Sequence, residues 1–223
     1  SLPWAFAAGF LAGVIPAIRY PEALFAPAFM LFILLNTRRG RGRMSSLAAV
    51  STGFAVPFGA LLLHNRLAYG GFLKTGYDLM DMDIGFGWEY FRNHAPLYLQ
   101  KLQGEGIGLL TGLGAVGIAA MCAGRGTWKR GVLFAGLAVP VTVLYMSYYW
   151  SPDRASMRFL MPTFPLYIIA GVWLLETISG GGKRTAAAAV LVVTALTASW
   201  GVPMSVTALE RLETVNAALV RIT

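Results

Sequence analysis

The residues of this chain best suited to chemistry are arginines and acids beside proline, at the ends of long apolar runs. The first group is Ala17-Ile18-Arg19-Tyr20-Pro21-Glu22. Proline breaks a helix and frees backbone groups, and at membrane depth this is tolerated only where protein or water satisfies them. Arg19 and Glu22 flank that break. A planar guanidinium matches phosphate oxygens, so Arg19 is a candidate ligand for a phosphate. Two plainer readings stand beside it: an Arg19–Glu22 pair capping a turn, or an arginine snorkelling to the interface.

A second group is Tyr69-Gly70-Gly71-Phe72-Leu73-Lys74-Thr75-Gly76-Tyr77. Its glycines allow unusual backbone angles, and its rings offer faces on which a sugar or a lipid can stack. Tyr69, Lys74 and Tyr77 are the substrate-loop candidates here. Asp78, Asp81 and Asp83 follow. Two carboxylates can share a divalent cation with phosphate oxygens, so Asp81 and Asp83 are the weak metal candidates. No other cofactor is indicated. Trp88, Tyr90, Phe91, Tyr98 and Leu99 have the character of a helix lying in a membrane interface, with aromatic anchoring more plausible than ligand binding. The third group, Tyr148 to Pro165, places Arg154 and Arg158 just before a run interrupted by Pro162 and Pro165. Arg158 is the phosphate candidate here, because an ionisable residue beside broken backbone in an apolar segment is costly unless it serves a site, and Arg154 joins Tyr69, Lys74 and Tyr77 as a substrate-loop candidate.

Other features carry less. Gly108 and Gly112 form a G-x-x-x-G, expected to let helices approach closely. Gly180-Gly181-Gly182-Lys183 lacks the spacing of a phosphate-binding loop. His64 and His94 have no partner motif and read as interfacial polar residues. The lone Cys122 excludes an intramolecular disulfide and any multi-cysteine metal site.

The elements that must position these residues are apolar and long. Of 223 residues, 57% are hydrophobic and 13% charged, with a mean hydropathy of +0.62. Soluble domains carry about 25% charged residues. The expected fold class is therefore an all-α, polytopic transmembrane helical bundle of about seven spans. The candidate spans are Leu2–Ile18, Pro21–Asn36, Ser45–Leu63, Gly106–Ala123, Val132–Trp150, Phe159–Ile178 and Thr185–Val202. The chain reads as a single membrane domain over residues 1–223. Spans one to three occupy 1–63, an external loop with short interfacial helices 64–105, spans four to seven 106–202, and an external tail 203–223.

The net charge of +8 has a positional explanation. Arg38, Arg39, Arg41, Arg43, Arg125, Lys129, Arg130, Lys183 and Arg184 fall in three alternate loops that hold no acid. By the positive-inside rule these loops are cytoplasmic, which puts the start of the chain inside and its end outside a cytoplasmic membrane. Orientation and anionic head groups account for the basic run at 38–43, so nucleic acid is not an expected partner. Membrane lipids are.

Three segments together resemble a family. Ala12 to Leu24 is similar to the "G-L-A-x-L-x-R-P-E-A-L" stretch of the GT-C membrane glycosyltransferases. This is the group of dolichyl-phosphate-mannose mannosyltransferases and lipid A aminoarabinose transferases. Tyr69 to Tyr77 resembles their "Y-x-x-F-G-x-P-x-x-T-G-Y" element, and Ser156 to Gly171 their "S-x-R-Y-L-L-P-x-x-P-x-x-x-x-x-A" element. The order and spacing agree over most of the chain. Tyr20 is an extra residue before Pro21, and Leu73-Lys74 stand where the pattern often has proline. The resemblance implies transfer of a sugar from a polyprenyl-phosphate donor on the external face, with Arg158 and Arg19 on the donor phosphate. The family's catalytic acid lies in its first external loop. It is expected upstream of Ser1, so this chain reads as the C-terminal half of such an enzyme, needing an N-terminal half or partner subunits. Asp81 and Asp83 are not assigned that role. The alternative from the residues alone is a non-catalytic membrane subunit, or a carrier for lipid or a small solute.

Overall fold

The computed structural model describes residues 2–36, 40–79, 85–104, 106–149, 157–180, 182, 184–185 and 187–195. Helices dominate. They are α1 (Leu2–Ile18), α2 (Phe25–Asn36), α3 (Arg41–Tyr69), α4 (Trp88–Gly104), α5 (Leu109–Ala123), α6 (Trp128–Met146) and α7 (Phe164–Ile178). Residues 184–185 and 187–195 are also helical. Two short strands, β1 (Gly85–Phe86) and β2 (Tyr148–Tyr149), pair antiparallel, so the chain is not purely α.

Among the described residues, three helical stretches are long and apolar enough to cross a membrane: Gly42–Tyr69, Trp128–Met146 and Met161–Ile178. A fourth is reached if α4 and α5, bent by 111° at their junction, count as one broken span. The expected count of seven is not reached on length. At 1.5 Å per residue, the 12 residues of α2 extend about 18 Å and the 17 of α1 about 26 Å, against a hydrocarbon core of about 30 Å. The last candidate, Thr185–Val202, runs past the described residues, and the tail 203–223 lies outside them. Only 11% of the most apolar stretch of α3 is buried within the protein. An apolar helix left this bare needs a lipid solvent.

Several boundaries differ from expectation. The third span does not stop at Leu63; α3 continues through His64 to Tyr69, because no breaker intervenes before Gly70. There Gly70 adopts a left-handed conformation (φ +76°) and donates its N–H to the Arg66 carbonyl, a standard glycine stop. The fifth span starts at Trp128 and ends at Met146, not at Trp150, because Tyr148 and Tyr149 are taken into β2. Pro162 and Pro165 do not break a span. They occupy the first turns of the short 3-10 helix Met161–Thr163 and of α7, where a missing N–H costs nothing.

The molecule comprises two compact units, residues 1–92 with 119–154, and residues 93–118 with 155–223. In the first unit, α1 and α3 run parallel. A Cβ on Gly9 would fall 2.1 Å from the Val50 carbonyl oxygen, one on Gly13 2.4 Å from that of Phe54, and one on Gly53 2.2 Å from that of Phe6. Glycine alone permits backbones this close. Helix α2, which joins them in sequence, lies against α6, with Gly136 facing Ala28. In the second unit, Gly114 sits on the Tyr167 carbonyl and Gly117 on that of Ala170, so α5 and α7 are also parallel. Gly108 and Gly112 do not make this crossing. Gly108 turns the chain into α5 with φ +55°, and a Cβ on Gly112 would meet open space. The helix directions within each unit match the in–out alternation that the basic loops imply.

Candidate functional site

Because α1, α3 and α6 run the same way, their C-terminal ends gather at one end of the first unit, and the polar residues there form a cluster. The chain leaves α1 at Ile18, extends at Arg19 (φ −151°, ψ 113°), and turns through the 3-10 helix Tyr20–Leu24 with Pro21 in its first turn. The extended Arg19 ends the α-helical path, and the short 3-10 turn tightens the reversal into α2.

Glu22 is carried inward by this turn and is only 2% exposed. Its Oε1 lies 3.4 Å from Arg19 Nη1, and Arg19 keeps 27% exposure. The capping pair considered from sequence is thus present. A salt bridge at that length engages one edge of the guanidinium, and Arg19 has further partners beside it. Neither Glu22 oxygen makes a hydrogen bond among the described residues. Tyr145, the last residue but one of α6, borders both groups: the Arg19 guanidinium carbon stands 5.3 Å from its ring centroid, a cation–π distance, and its side chain also flanks the Glu22 carboxylate.

Asn65 completes the cluster. It is fully buried near the end of α3. Its Oδ1 accepts from the Tyr20 hydroxyl at 3.0 Å, and its Nδ2 donates to the Phe72 carbonyl at 3.2 Å. One side chain therefore ties the Arg19–Glu22 break to the Tyr69–Tyr77 loop, two segments about fifty residues apart that the sequence could only treat separately. In that loop the Arg66 guanidinium donates to the Gly70 carbonyl, and the Lys74 N–H closes a turn onto Gly71. Tyr69 is half-buried. Its ring meets His64 edge-on at 6.1 Å, and its hydroxyl lies 3.6 Å from where a Cβ on Gly76 would be. Lys74 is exposed. Tyr77 belongs to the turn Gly76–Leu79, with its side chain outside the described part.

Asp78 holds the next turn. Its Oδ2 accepts the Thr75 N–H at 2.6 Å and the Thr75 hydroxyl at 3.1 Å. The backbone donor first, then the hydroxyl, and more weakly the Lys74 charge, hold the Asp78 carboxyl below the usual aspartate range. Beyond it, Asp81 and Asp83 lie outside the described residues. The chain then returns to the same helix end through β1, whose Phe86 ring packs 5.1 Å from Tyr148, while Tyr148 meets Tyr145 edge-on at 6.5 Å. Rings thus run from the ribbon to the Arg19 cluster.

Arg158 belongs to the second unit. It is exposed in the 3-10 helix Met157–Phe159, with its guanidinium 5.0 Å from the Phe159 ring centroid. Buried Thr163, at the N-cap position of α7, donates its hydroxyl back to the Leu160 carbonyl at 2.7 Å and makes no side-chain bond to the helix N–H groups. Arg154 lies outside the described residues. His94 is not an interfacial residue in the open; with Tyr98 and Leu102 it forms the buried stripe of α4 at helical spacing. No three His, Cys, Asp or Glu side chains gather among the described residues.

Sequence reasoning missed Asn65 and Tyr145. Asn65 had a readable signal, a polar amide one turn inside the end of a long apolar helix, where it must find partners. Tyr145 had none, being one ring among several.

No protein-family model, no curated protein and no solved structure matches this chain.

Proposed function

We propose that this chain is part of a membrane glycosyltransferase that moves a sugar from a polyprenyl-phosphate donor to an acceptor on the external face of the cytoplasmic membrane. In this reading it has seven spans, starts inside and ends outside, and the clustered ends of α1, α3 and α6 face outward. The observation that carries the reading is the Asn65 bridge. Two segments that separately resemble parts of one enzyme family share a single polar cluster, and that cluster presents a part-exposed arginine.

The chemistry asked of the site is displacement at the anomeric carbon. A carboxylate takes the proton of the acceptor hydroxyl, the new C–O bond forms, and the bond to the donor phosphate breaks with its electron pair leaving on the phosphate. Charge grows on that phosphate in the transition state, so fixed cations there lower the barrier. Arg19, with Tyr69 and Lys74 along the loop tied to it, is proposed for this task in the first unit, and Arg158 is proposed for it separately in the second. The base is assigned to no residue of this chain.

The test is release of polyprenyl phosphate from a radiolabelled polyprenyl-phosphate sugar by membranes carrying the full-length protein. Arg158→Ala is expected to lower turnover by about 100-fold or more while insertion is unchanged. Turnover equal to the wild type would remove Arg158 from the account. Binding of the lipid without any turnover would instead favour a non-catalytic subunit or carrier.

A further inference from the structure

The buried carboxylate of Glu22 has no part in the reading above, yet its placement is unusual. It is 2% exposed, has Arg19 as its ion-pair partner at 3.4 Å, and has the Tyr145 side chain as its other polar neighbour. Arg19 is the group assigned to the donor phosphate. A guanidinium that swings its fork onto phosphate oxygens weakens its hold on the carboxylate behind it. A buried carboxylate deprived of its cation is costly, and the usual relief is to take up a proton.

We propose that Glu22 is a built-in competitor for Arg19, and that binding of a phosphodiester lipid at Arg19 is coupled to protonation of Glu22. This inference rests on the assignment of Arg19 to the donor phosphate. In the empty site the pair is neutral and the arginine is restrained. In the occupied site the phosphate replaces Glu22 as counter-ion and the carboxyl becomes neutral, which also removes its repulsion of the ligand. A proton taken up from water and an anion taken up from the membrane enter together.

Among the described residues, few other groups could carry such coupling. The 3-10 turn holding Glu22 packs against α1, α2 and α6. Helices α1 and α2 contain no ionisable side chain. On α6 the group facing Glu22 is the Tyr145 side chain. Lys129 and Arg130 begin the same helix, about 23 Å away along its axis. From α3 comes the amide of Asn65, which carries no charge and is reached through the Tyr20 hydroxyl.

The experiment measures binding of a short-chain prenyl methyl phosphodiester to the detergent-solubilised full-length protein between pH 5.5 and 8. The diester keeps one negative charge throughout, so the probe contributes no titration of its own. For wild type, affinity should rise as pH falls, approaching tenfold per pH unit where one proton is taken up on binding. Glu22→Gln keeps the volume and cannot compete as an anion; it should bind about tenfold tighter at pH 8 and show no pH slope. Dimethyl phosphate carries the same head group without the chain, and its failure to compete identifies a lipid rather than a free phosphate as the ligand. Competition by dimethyl phosphate at equal concentration would identify the free anion.

Arg19→Gln/Glu22→Gln replaces the buried pair by two neutral amides and avoids a lone buried charge; it should lose binding. Two failures are distinguishable. If wild type binds, the double variant does not, and Glu22→Gln matches wild type in affinity and slope, the coupling is overturned and the Arg19 assignment stands. If the double variant binds as wild type does, or wild type binds at no pH, the Arg19 assignment falls and the coupling with it.

Discussion

Replacing Asn65 by alanine should release the Tyr69–Tyr77 loop from the helix break, and the size of the effect can be worked from the geometry. Two hydrogen bonds are lost, at 3.0 Å to the Tyr20 hydroxyl and 3.2 Å to the Phe72 carbonyl. Each neutral bond contributes about 1 kcal/mol net. Asn65 is fully buried, so the void left by its amide adds a further fraction of a kcal/mol, giving about 2–3 kcal/mol in total. At 1.4 kcal/mol per factor of ten, local opening becomes about 30- to 150-fold more frequent. Amide hydrogen exchange reads this directly. Gly70 donates to Arg66 and Lys74 to Gly71, and their exchange rates should rise by that factor while amides in the middle of α6 stay as they were. Tyr20→Phe removes one of the two bonds and should raise the same rates about fivefold, roughly 1 kcal/mol. Exchange in Asn65→Ala within twofold of wild type would refute the claim that this side chain joins the two segments. Equal effects of the two variants would refute the claim that it does so through two bonds.

Three further outcomes follow from the same structure. Gly9→Ala or Gly13→Ala places a methyl 2.1 or 2.4 Å from a carbonyl of α3, so either should force the helices apart and destabilise the protein by about 1–3 kcal/mol in detergent unfolding. Gly112→Ala meets open space and should be neutral or stabilise by up to about 1 kcal/mol through helix propensity, which the same titration checks. The pH dependence of the Thr75–Asp78 turn has a definite sign. Asp78 is held below its ordinary pKa in the folded chain, so its contribution is present above the unfolded value of about 3.9 and is lost as pH falls through the lower folded value. Carboxyl-carbon NMR should show Asp78 titrating below a free aspartate, and Thr75→Val, which removes the hydroxyl and keeps the backbone donor, should undo only part of that difference.

Helix existence and direction were readable in the sequence because both rest on strong, additive signals. Apolar runs located α3, α6 and α7 to within a few residues, and the alternation of basic loops anticipated which helices run parallel inside each unit. Ends were less readable. Pro162 and Pro165 look the same on paper whether they break a helix or begin one, and only the position of Thr163 as the cap decides it. Small-residue spacing misled in a similar way. Gly108/Gly112 and Gly9/Gly13 share the same four-residue interval, but Gly108 is consumed by a left-handed turn, and a spacing rule carries no backbone angle. At the site, Arg19 and Glu22 were visible as charges beside proline. Their union with the Tyr69–Tyr77 loop was not, because it runs through Asn65, and a contact across 45 positions leaves no local trace.

The central claim is that a lipid phosphate sits at the Arg19 break, and photocrosslinking tests it most directly. A prenyl phosphodiester carrying a diazirine on the head group would be irradiated with the full-length protein in bilayers and the labelled residues mapped by mass spectrometry. The account predicts label concentrated on Ile18 to Glu22 and around Tyr145, suppressed by unlabelled diester and absent in Arg19→Gln/Glu22→Gln. Label spread along the bare faces of α3, with none at the break and no suppression, would contradict it.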